Sequence, residues 1–215
     1  MDGQKRKQML PAEESSVSPA HAGNDRLGLD RLIFFSDAIF AIAITLLALD
    51  INLPPTRDDV TDAELWQMLG SLWPDYSAYI TSFLVIGLFW MSHHTKFRSI
   101  VRYDRPMLWL NMFLLMTIAF MPFPTRVMSD YDNGASTIFY AATTAVAGIL
   151  SAAINFYAVH NHRLVDEDAP LVDHMKRPWR MLGVPLVFLL SIPIALYDPN
   201  LARYFWLLMI PLSRL

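Results

Sequence analysis

An aspartate stands inside an apolar segment that is long enough to cross a lipid bilayer. The segment reads RLIFFSDAIFAIAITLLALDI from Arg31 to Ile51, and Asp37 lies in its first third. A carboxylate at the centre of a membrane helix costs about 2.5–3.5 kcal/mol on insertion scales, so such a residue marks a functional or structural site. Asp37 therefore needs either hydrogen-bond donors or water.

The donors for Asp37 must come from other parts of the chain. Arg31 precedes Asp37 by six residues, which separates the two by about 9 Å along a helix and puts them on different faces. A later apolar segment ends LFWMSHHTKFR, and a third carries an asparagine near its start. Indole, imidazole and amide groups are hydrogen-bond donors. We expect a buried network of Ser36, Asp37, Trp90, His94 and Asn111; the alternative is an Asp37 that faces a water-filled vestibule.

Composition and apolar windows predict the elements that position these residues. The chain has 215 residues, of which 54% are hydrophobic and 17% charged, a balance that is rare in soluble domains. A membrane helix needs about 20 mostly apolar residues. We therefore expect an all-α, polytopic membrane protein with six transmembrane helices per subunit, near residues 31–51, 72–95, 107–123, 137–160, 179–197 and 200–213. Pro122 and Pro124 are expected to end the third span.

The polar N-terminal stretch and the basic residues predict the topology. Residues 1–28 are polar and are expected to form a disordered cytoplasmic tail, whereas residues 29–215 form the transmembrane domain. If the N-terminus is cytoplasmic, all but three of the 17 Lys and Arg residues fall inside, the exceptions being Arg57, Arg126 and Arg203. This bias predicts a multi-pass protein of the cell inner (plasma) membrane with both termini cytoplasmic. The basic tail is expected to set topology, and no nucleic-acid partner is expected.

Helical geometry separates Asp37 from an apolar stripe on the first span. Relative to Ile42, Thr45 lies at about 300°, Leu46 at about 40° and Leu49 at about 340°. Phe35 and Ile39 extend this face at about 20° and 60°, whereas Asp37 lies at about 220°. Small residues, Ala41 and Ala48, flank Asp37, and small residues permit close helix packing. We expect the side of the helix that carries Asp37 to face protein.

The same residues carry a resemblance to a known family. The run from Arg31 through Phe35-Ser36-Asp37 to Thr45-Leu46, the segment Phe89-Trp90 to His94, and the stretch from Asn111 to Thr125 are similar to bacterial homologues of the lysosomal potassium channels called transmembrane protein 175. The likeness extends over nearly the whole chain beyond residue 28.

The resemblance implies a homotetramer with a central pore lined by the first helix. The family has no carbonyl filter of the Thr-Val-Gly-Tyr-Gly type. Positions matching Ile42, Leu46 and Leu49 would form an apolar constriction, and Thr45 would offer its hydroxyl to a partly dehydrated ion. A potassium-preferring cation channel is implied, with lipid and monovalent cations as partners and no cofactor beyond the permeating potassium ions. A structural network would hold the pore helix: Arg31, Phe35, Ser36, Asp37, Trp90, His94 and Asn111. Arg31 lies on the pore stripe at about 340°, and we expect it to snorkel toward the network.

A different function class is a proton- or sodium-coupled secondary transporter that uses Asp37 as the carrier. Transporters often contain internal repeats and broken helices at the binding site. The two halves of this chain share no clear motif, so a channel is the favoured interpretation. A saturable, proton-coupled flux would distinguish the transporter.

Enzymatic and metal-binding interpretations have less support. Ser36, Asp37 and a histidine suggest an intramembrane hydrolase, but adjacent residues point about 100° apart on a helix, so we expect no enzyme. His160, His162, Asp166 and His174 could suggest a metal site, but nothing in their spacing fixes a geometry, and no metal is expected. His93 and His94 could instead sense pH, because imidazole titrates near neutrality.

Overall fold

The computed structural model describes residues 19–53, 60–160, 164–165 and 178–209, and the chain there is helical. These parts contain no β-strand, only an isolated antiparallel bridge between Ile100 and Val165. The all-α class is thus confirmed. In chain order the helices are α1 (Pro19–Leu49), α2 (Asp62–Ser71), α3 (Trp73–Phe97), α4 (Arg105–Phe120), α5 (Pro122–Asp130), α6 (Gly134–Val159), α7 (Pro178–Ala195), α8 (Pro199–Phe205) and a 3-10 helix (Trp206–Leu208).

Three of the described helical segments are long and apolar enough to cross a membrane. They are Arg26–Leu49 in α1, Arg105–Asp130 across α4 and α5, and Gly134–Val159, which is α6. Leu182–Ala195 in α7 is a shorter apolar helix. The predicted spans 72–95 and 200–213 correspond to α3 and to α8 with the 3-10 helix, but neither is among the three. The expectation of six spans therefore stays a prediction.

The prolines expected to end the third span begin a new helix instead. Met121 joins α4 to α5, where its N–H donates to Ile118 O and its carbonyl accepts from the Thr125 N–H. A proline in the first turn of a helix forfeits no intrahelical hydrogen bond, so Pro122 and Pro124 are tolerated there. The helical path continues to Asp130, and the predicted end at residue 123 is wrong.

The first helix begins earlier than the predicted tail boundary. It starts at Pro19, so residues 19–28 are helical, while residues 1–18 lie outside the described residues. Packing explains the extension, since Leu29 is buried and a Cβ at Gly28 would overlap the phenol of Tyr103. Close packing at Gly28 anchors the N-terminal turns of α1.

The helices pack into a bundle in which α1 contacts α3, α4 and α5, while α6 contacts α4 and, most extensively, α7. An aromatic cluster joins α6, α7 and the 3-10 helix: the ring centroid of Trp206 lies 4.9 Å from that of Tyr140 and 5.3 Å from that of Phe188. Pro185 of α7 lies directly over Gly148 of α6. Helix α6 thus connects α7 to the earlier helices through its contacts with α4, α5 and α3.

Opposite charges collect at the two ends of the bundle. One end holds the C-terminus of α3 and the N-terminus of α4, and we call it the basic end after Lys96, Arg98, Arg102 and Arg105. The other holds the C-termini of α1 and α5, and we call it the acidic end after Asp50, Asp75, Asp130 and Asp132.

Candidate functional site on the first helix

One face of α1 is buried inside the subunit. Ser36, Phe40, Ala43 and Leu47 are each at most 1% exposed. Their spacing of four, three and four residues places them on a single stripe of the helix. This stripe packs against α3, α4 and α5 and fixes the rotation of α1.

The opposite face of α1 is exposed and uncharged over four turns. Ile42, Leu46 and Leu49 are 55%, 41% and 71% exposed, and Phe35 is 47% exposed. Thr45 is exposed on the same face, and its Oγ1 donates to Ile42 O at 2.9 Å. An apolar face of this length needs lipid or another protein surface to cover it. The structure therefore presents the four predicted pore residues together on the outside of the subunit.

A directed chain of hydrogen bonds joins the buried face of α1 to α4 and α3. Ser36 Oγ donates to Leu32 O at 2.8 Å, so its oxygen accepts from Asn111 Nδ2 at 3.0 Å. Asn111 Oδ1 lies 2.9 Å from His93 Nε2 and accepts its proton. Ser36, Asn111 and His93 are at most 2% exposed. Each of the three hydrogen bonds in this chain thus has one assigned donor and one assigned acceptor.

The histidine in this chain is His93, whereas His94 was expected. His94 is exposed, and its ring centroid lies 5.6 Å from that of Trp90. His93 is buried because it belongs to the buried face of α3, on which Phe89, His93 and Phe97 recur at intervals of four residues. That apolar periodicity was visible in the sequence and could have identified His93.

Asp37 lies at the edge of the buried face and is held by α3. Trp90 Nε1 donates to Asp37 Oδ1 at 2.9 Å. Asp37 is half-buried, but Ala41 and Ala48, expected beside it in a protein-packed face, are exposed in the subunit. The packed face is centred on Ser36 and Phe40, about 80° away from the expected direction. Arg31 is exposed.

Two further polar contacts tie α3 to its neighbours. Ser82 Oγ lies 2.8 Å from Thr125 Oγ1 of α5 and 3.1 Å from Tyr140 Oη of α6. Near the basic end, Lys96 Nζ donates to Ser151 O at 3.0 Å. Ser82 and Lys96 of α3 thus find hydrogen-bond partners on α5 and α6, which offsets the cost of placing polar groups in an apolar environment.

An ion-pair cluster closes the acidic end beside α1. Asp50, the first residue after α1 and after the span Arg26–Leu49, has Oδ1 3.7 Å from Arg126 Nη1. Arg126 Nε lies 3.5 Å from Asp130 Oδ2. Partial burial raises the pKa of the Asp50 carboxyl; Arg126 opposes this rise and Asp130 adds to it. The carboxylate is thus partly dehydrated and only incompletely compensated.

Neither hydrolase nor metal chemistry has a geometric basis in the described residues. The Ser36 hydroxyl proton goes to a backbone carbonyl, so no base activates it. No group of three or more His, Cys, Asp or Glu in the described chain could hold a metal. Of the four residues considered for a metal, His160 stacks on Phe156; His162, Asp166 and His174 lie outside the described residues.

Comparison with known proteins connects this site to a family. The family described as the endosomal/lysosomal potassium channel TMEM175 matches residues 31–122. A Streptomyces collinus protein named a potassium channel is 40% identical over 132 residues, 61% of this chain and 63% of that protein. A Bos taurus protein named endosomal/lysosomal proton channel TMEM175 is 31% identical over 153 residues, 69% of this chain and 32% of that protein. The matched regions span less than two thirds of either relative.

The fold is similar to that of a solved relative. A crystal structure of a Chamaesiphon minutus homologue of the lysosomal potassium-selective channel TMEM175 superposes with a TM-score of 0.74. The sequence identity is 29%, and the superposition covers 86% of this chain and 96% of that one. Residues 31–122, which include Ser36, Asp37, Asn111 and the exposed stripe of α1, are thus similar to the TMEM175 family, which is a family of ion channels and not of enzymes.

Proposed function

We propose that this protein is a potassium-preferring cation channel, in which four copies surround a pore lined by the exposed face of α1. The observation that carries the proposal is the uncharged exposed stripe of Ile42, Thr45, Leu46 and Leu49, opposite the face that packs inside the subunit. The family match and the potassium-channel name of the Streptomyces relative support it.

The apolar residues of the stripe suit a hydrophobic constriction. Rings of Ile42, Leu46 and Leu49 around an axis would exclude water when narrow and so block ions without a charged plug. Widening of the ring would then permit conduction. The chain contains no Thr-Val-Gly-Tyr-Gly sequence that could form a carbonyl filter.

Thr45 would supply the oxygens that replace lost water. Its hydroxyl proton is donated to Ile42 O, so the lone pairs of Oγ1 are free to bind a cation. Four such oxygens would stabilise a partly dehydrated cation. Potassium gives up water at lower cost than sodium, so it would pass preferentially, and with so few protein ligands the preference would be modest.

The polar contacts behind α1 would hold the pore helix in register. The chain Ser36–Asn111–His93 fixes one side, and the Trp90–Asp37 hydrogen bond fixes another. Phe35 and Arg31, which the family resemblance places in the same support, are exposed on the subunit and would act at contacts between copies. We place the channel in the plasma membrane, with lipid around it and both termini cytoplasmic.

Bi-ionic planar-bilayer recording tests the proposed selectivity. Purified protein is reconstituted with potassium on one side and sodium on the other, and the reversal potential is measured. A reversal potential displaced toward the potassium equilibrium supports the proposal. A reversal at zero, or no conductance from protein of verified oligomeric state, contradicts it.

Pore-stripe variants test the proposed lining. Ile42→Ala and Leu46→Ala are expected to raise the conductance and weaken potassium preference, because each widens the constriction. Leu190→Ala is the matched control, since Leu190 is a similarly exposed apolar residue of α7, and it should leave both quantities unchanged. If all three variants conduct like the wild type, α1 does not line the pore.

The alternative function is a proton- or sodium-coupled transporter with Asp37 as the carrier. The carboxylate accepts a hydrogen bond from Trp90, and it lies off the exposed stripe. Vesicle uptake with Asp37→Asn decides between the two functions. A saturable flux that needs an opposing proton or sodium gradient and disappears in this variant would favour the transporter, whereas flux that follows the potassium gradient alone favours the channel.

A further inference from the structure

Three arginines at the basic end have no acidic partner in the part of the chain that the structure describes. Arg98 follows α3, Arg102 lies in the connection to α4, and Arg105 begins α4; all three are exposed. The ion pairs of the described residues involve Arg126 and Arg203 instead, at the acidic end. Among the described residues, therefore, no carboxylate competes with an outside ligand for the three guanidinium groups.

The carboxylate that lies between these arginines in the sequence is occupied by other groups. Asp104 Oδ1 accepts a hydrogen bond from the Met107 N–H at 3.0 Å, and Asp104 Oδ2 accepts one from the Tyr157 hydroxyl. The N-terminal turns of α1 lie beside this connection, because Gly28 packs on Tyr103. The exposed charged residues described there are two arginines and one aspartate: Arg26, Asp30 and Arg31. The patch therefore keeps an excess of positive charge.

The backbone that carries the arginines is held in place. The Val101 N–H donates to Leu164 O at 2.8 Å, next to the bridge between Ile100 and Val165. Ser99 and Ile100 are buried. A charged surface on a fixed backbone loses less conformational freedom on binding than a flexible loop does. The basic patch is thus preorganised for a ligand.

An exposed apolar stripe of α4 begins beside Arg105. Its side chains all lie within about 80° of Arg105 around the helix, whereas the face that carries Asn111 and Leu115 is buried. From residue 105 to residue 120 the stripe is about 22 Å long, more than the roughly 15 Å of one hydrocarbon leaflet. The members of the stripe are Trp109, Met112, Phe113, Met116 and Phe120, each at least 44% exposed.

A basic patch that is continuous with an apolar stripe fits an anionic phospholipid. The guanidinium group binds a phosphate through two parallel hydrogen bonds. Trp109, one turn from Arg105 and 63% exposed, lies where an indole ring would sit between the headgroups and the acyl chains. The excess positive charge favours a headgroup with a net negative charge over a zwitterionic one.

A second copy of the chain fits this surface less well. In the assembly proposed above, the copies are related by rotation about an axis along α1, so all of them have their basic ends on the same side of the membrane. A neighbour packed on the α4 stripe would bring its own basic end beside Arg102 and Arg105. Like charges placed side by side oppose that contact, and a negatively charged lipid does not meet this repulsion.

We propose that Arg98, Arg102 and Arg105 bind the headgroup of an anionic phospholipid in the leaflet at the basic end, and that an acyl chain of this lipid lies along the exposed stripe of α4. The inference goes beyond the proposed function. It requires that the chain lies in a membrane, but it does not require conduction.

The test measures which lipid the purified full-length protein retains. Protein in detergent with equal amounts of dioleoyl phosphatidylglycerol and dioleoyl phosphatidylcholine is analysed by native mass spectrometry. The protein is expected to retain phosphatidylglycerol in preference to phosphatidylcholine, and equal retention overturns the inference. Potassium phosphate, compared with potassium chloride at the same ionic strength, should leave the preference unchanged. If phosphate abolishes the preference, the patch binds free phosphate and the lipid assignment is wrong.

Charge variants locate the site. Arg105→Gln should lower the preference for phosphatidylglycerol about fivefold, and Arg102→Gln with Arg105→Gln about 25-fold, because each basic residue near an anionic headgroup contributes about fivefold in affinity. Arg126→Gln is the matched control; it removes an exposed arginine at the acidic end and should leave the preference unchanged. If Arg126→Gln loses as much preference as Arg105→Gln, net charge alone sets the preference and the assigned site is wrong.

A fluorescence measurement tests the occupant of the stripe and leaves the arginines unaltered, so it serves where the arginine variants do not fold. Phospholipids with brominated acyl chains quench the tryptophans that they contact, and the share of Trp109 is the quenching that Trp109→Phe loses. Brominated phosphatidylglycerol should quench Trp109 more than brominated phosphatidylcholine does, and equal quenching by the two lipids overturns the inference. If neither lipid quenches Trp109, another copy of the chain covers the stripe, which also overturns it.

Neither measurement records current. A failed lipid preference therefore leaves the channel proposal intact, and an absence of conductance in planar bilayers leaves the lipid site intact.

Discussion

Replacing Asn111 with leucine should lower the free energy of unfolding by about 2 kcal/mol, because the substitution removes the centre of the buried hydrogen-bond chain. Asn111 is 1% exposed and bridges Ser36 and His93. Leucine fills a similar volume but can neither accept from His93 Nε2 nor donate to Ser36 Oγ. The variant thus separates the polar contribution of this position from its packing.

The magnitude follows from what each partner loses. His93 Nδ1 already has no hydrogen-bond partner in the structure, so losing the acceptor at Nε2 leaves both ring nitrogens unsatisfied. A change of tautomer brings no relief, and an unsatisfied buried group costs about 1–3 kcal/mol. Ser36 keeps its bond to Leu32 O, so its loss is smaller, about 0.6 kcal/mol by analogy with interhelical bonds in membranes.

The assay is reversible unfolding in mixed micelles by titration with a denaturing detergent, followed by circular dichroism. Ser36→Ala is the matched control; it keeps the His93–Asn111 bond and should cost less than half as much as Asn111→Leu. Adding His93→Phe to Asn111→Leu should restore much of the loss, because the ring position lies between Phe40 and Phe97 and an apolar pair needs no hydrogen bond. An Asn111→Leu protein within about 0.5 kcal/mol of the wild type, or no rescue by His93→Phe, would refute the assigned chain.

Three further substitutions test the packing and the second contact behind α1. Gly148→Ala should destabilise by about 1–3 kcal/mol, because its Cβ would lie 2.9 Å from the rigid ring of Pro185. Gly87→Ala, the same change with nothing within 4 Å of the new Cβ, should stabilise by about 0.5–1 kcal/mol through helix propensity; unfolding titrations that give both the same sign would contradict the packing. Trp90→Phe removes the donor to Asp37 and should cost under about 1 kcal/mol, since that contact is partly exposed, and the cost should vanish in an Asp37→Asn background.

The exposed stripe of α1 could be predicted because helical periodicity fixes which residues share a face. Ile42, Thr45, Leu46 and Leu49 share one face by angle alone, and all four are exposed in the structure. That the stripe lines a pore stays a prediction, because a lipid-facing stripe has the same periodicity. Periodicity shows which residues share a face of a helix, but it does not show whether lipid, protein or a pore lies against that face.

Which histidine of α3 is buried could not be predicted from the spacing of Trp90 and His94 alone. Trp90 and His94 lie one helical turn apart, so a network containing Trp90 suggested His94. The ring contact between Trp90 and His94 exists, but it lies on the exposed side of α3. His93 is the buried histidine because it lies on the same face of α3 as the buried Phe89 and Phe97. Burial of the whole helix face therefore outweighed the spacing of one polar pair.

The packed face of α1 could not be predicted from its small residues. Ala41 and Ala48 suggested close packing around Asp37, yet both are exposed, and the bundle instead packs on Ser36, Phe40, Ala43 and Leu47. A helix in an assembly has more than two environments: its own subunit, a neighbouring copy, lipid and a pore. Small and apolar residues suit several of these equally, because each offers an uncharged surface. A polar residue that needs a particular hydrogen-bond partner does identify the packed face. Ser36 is the one such residue in this stripe, because its hydroxyl accepts a hydrogen bond from the amide of Asn111.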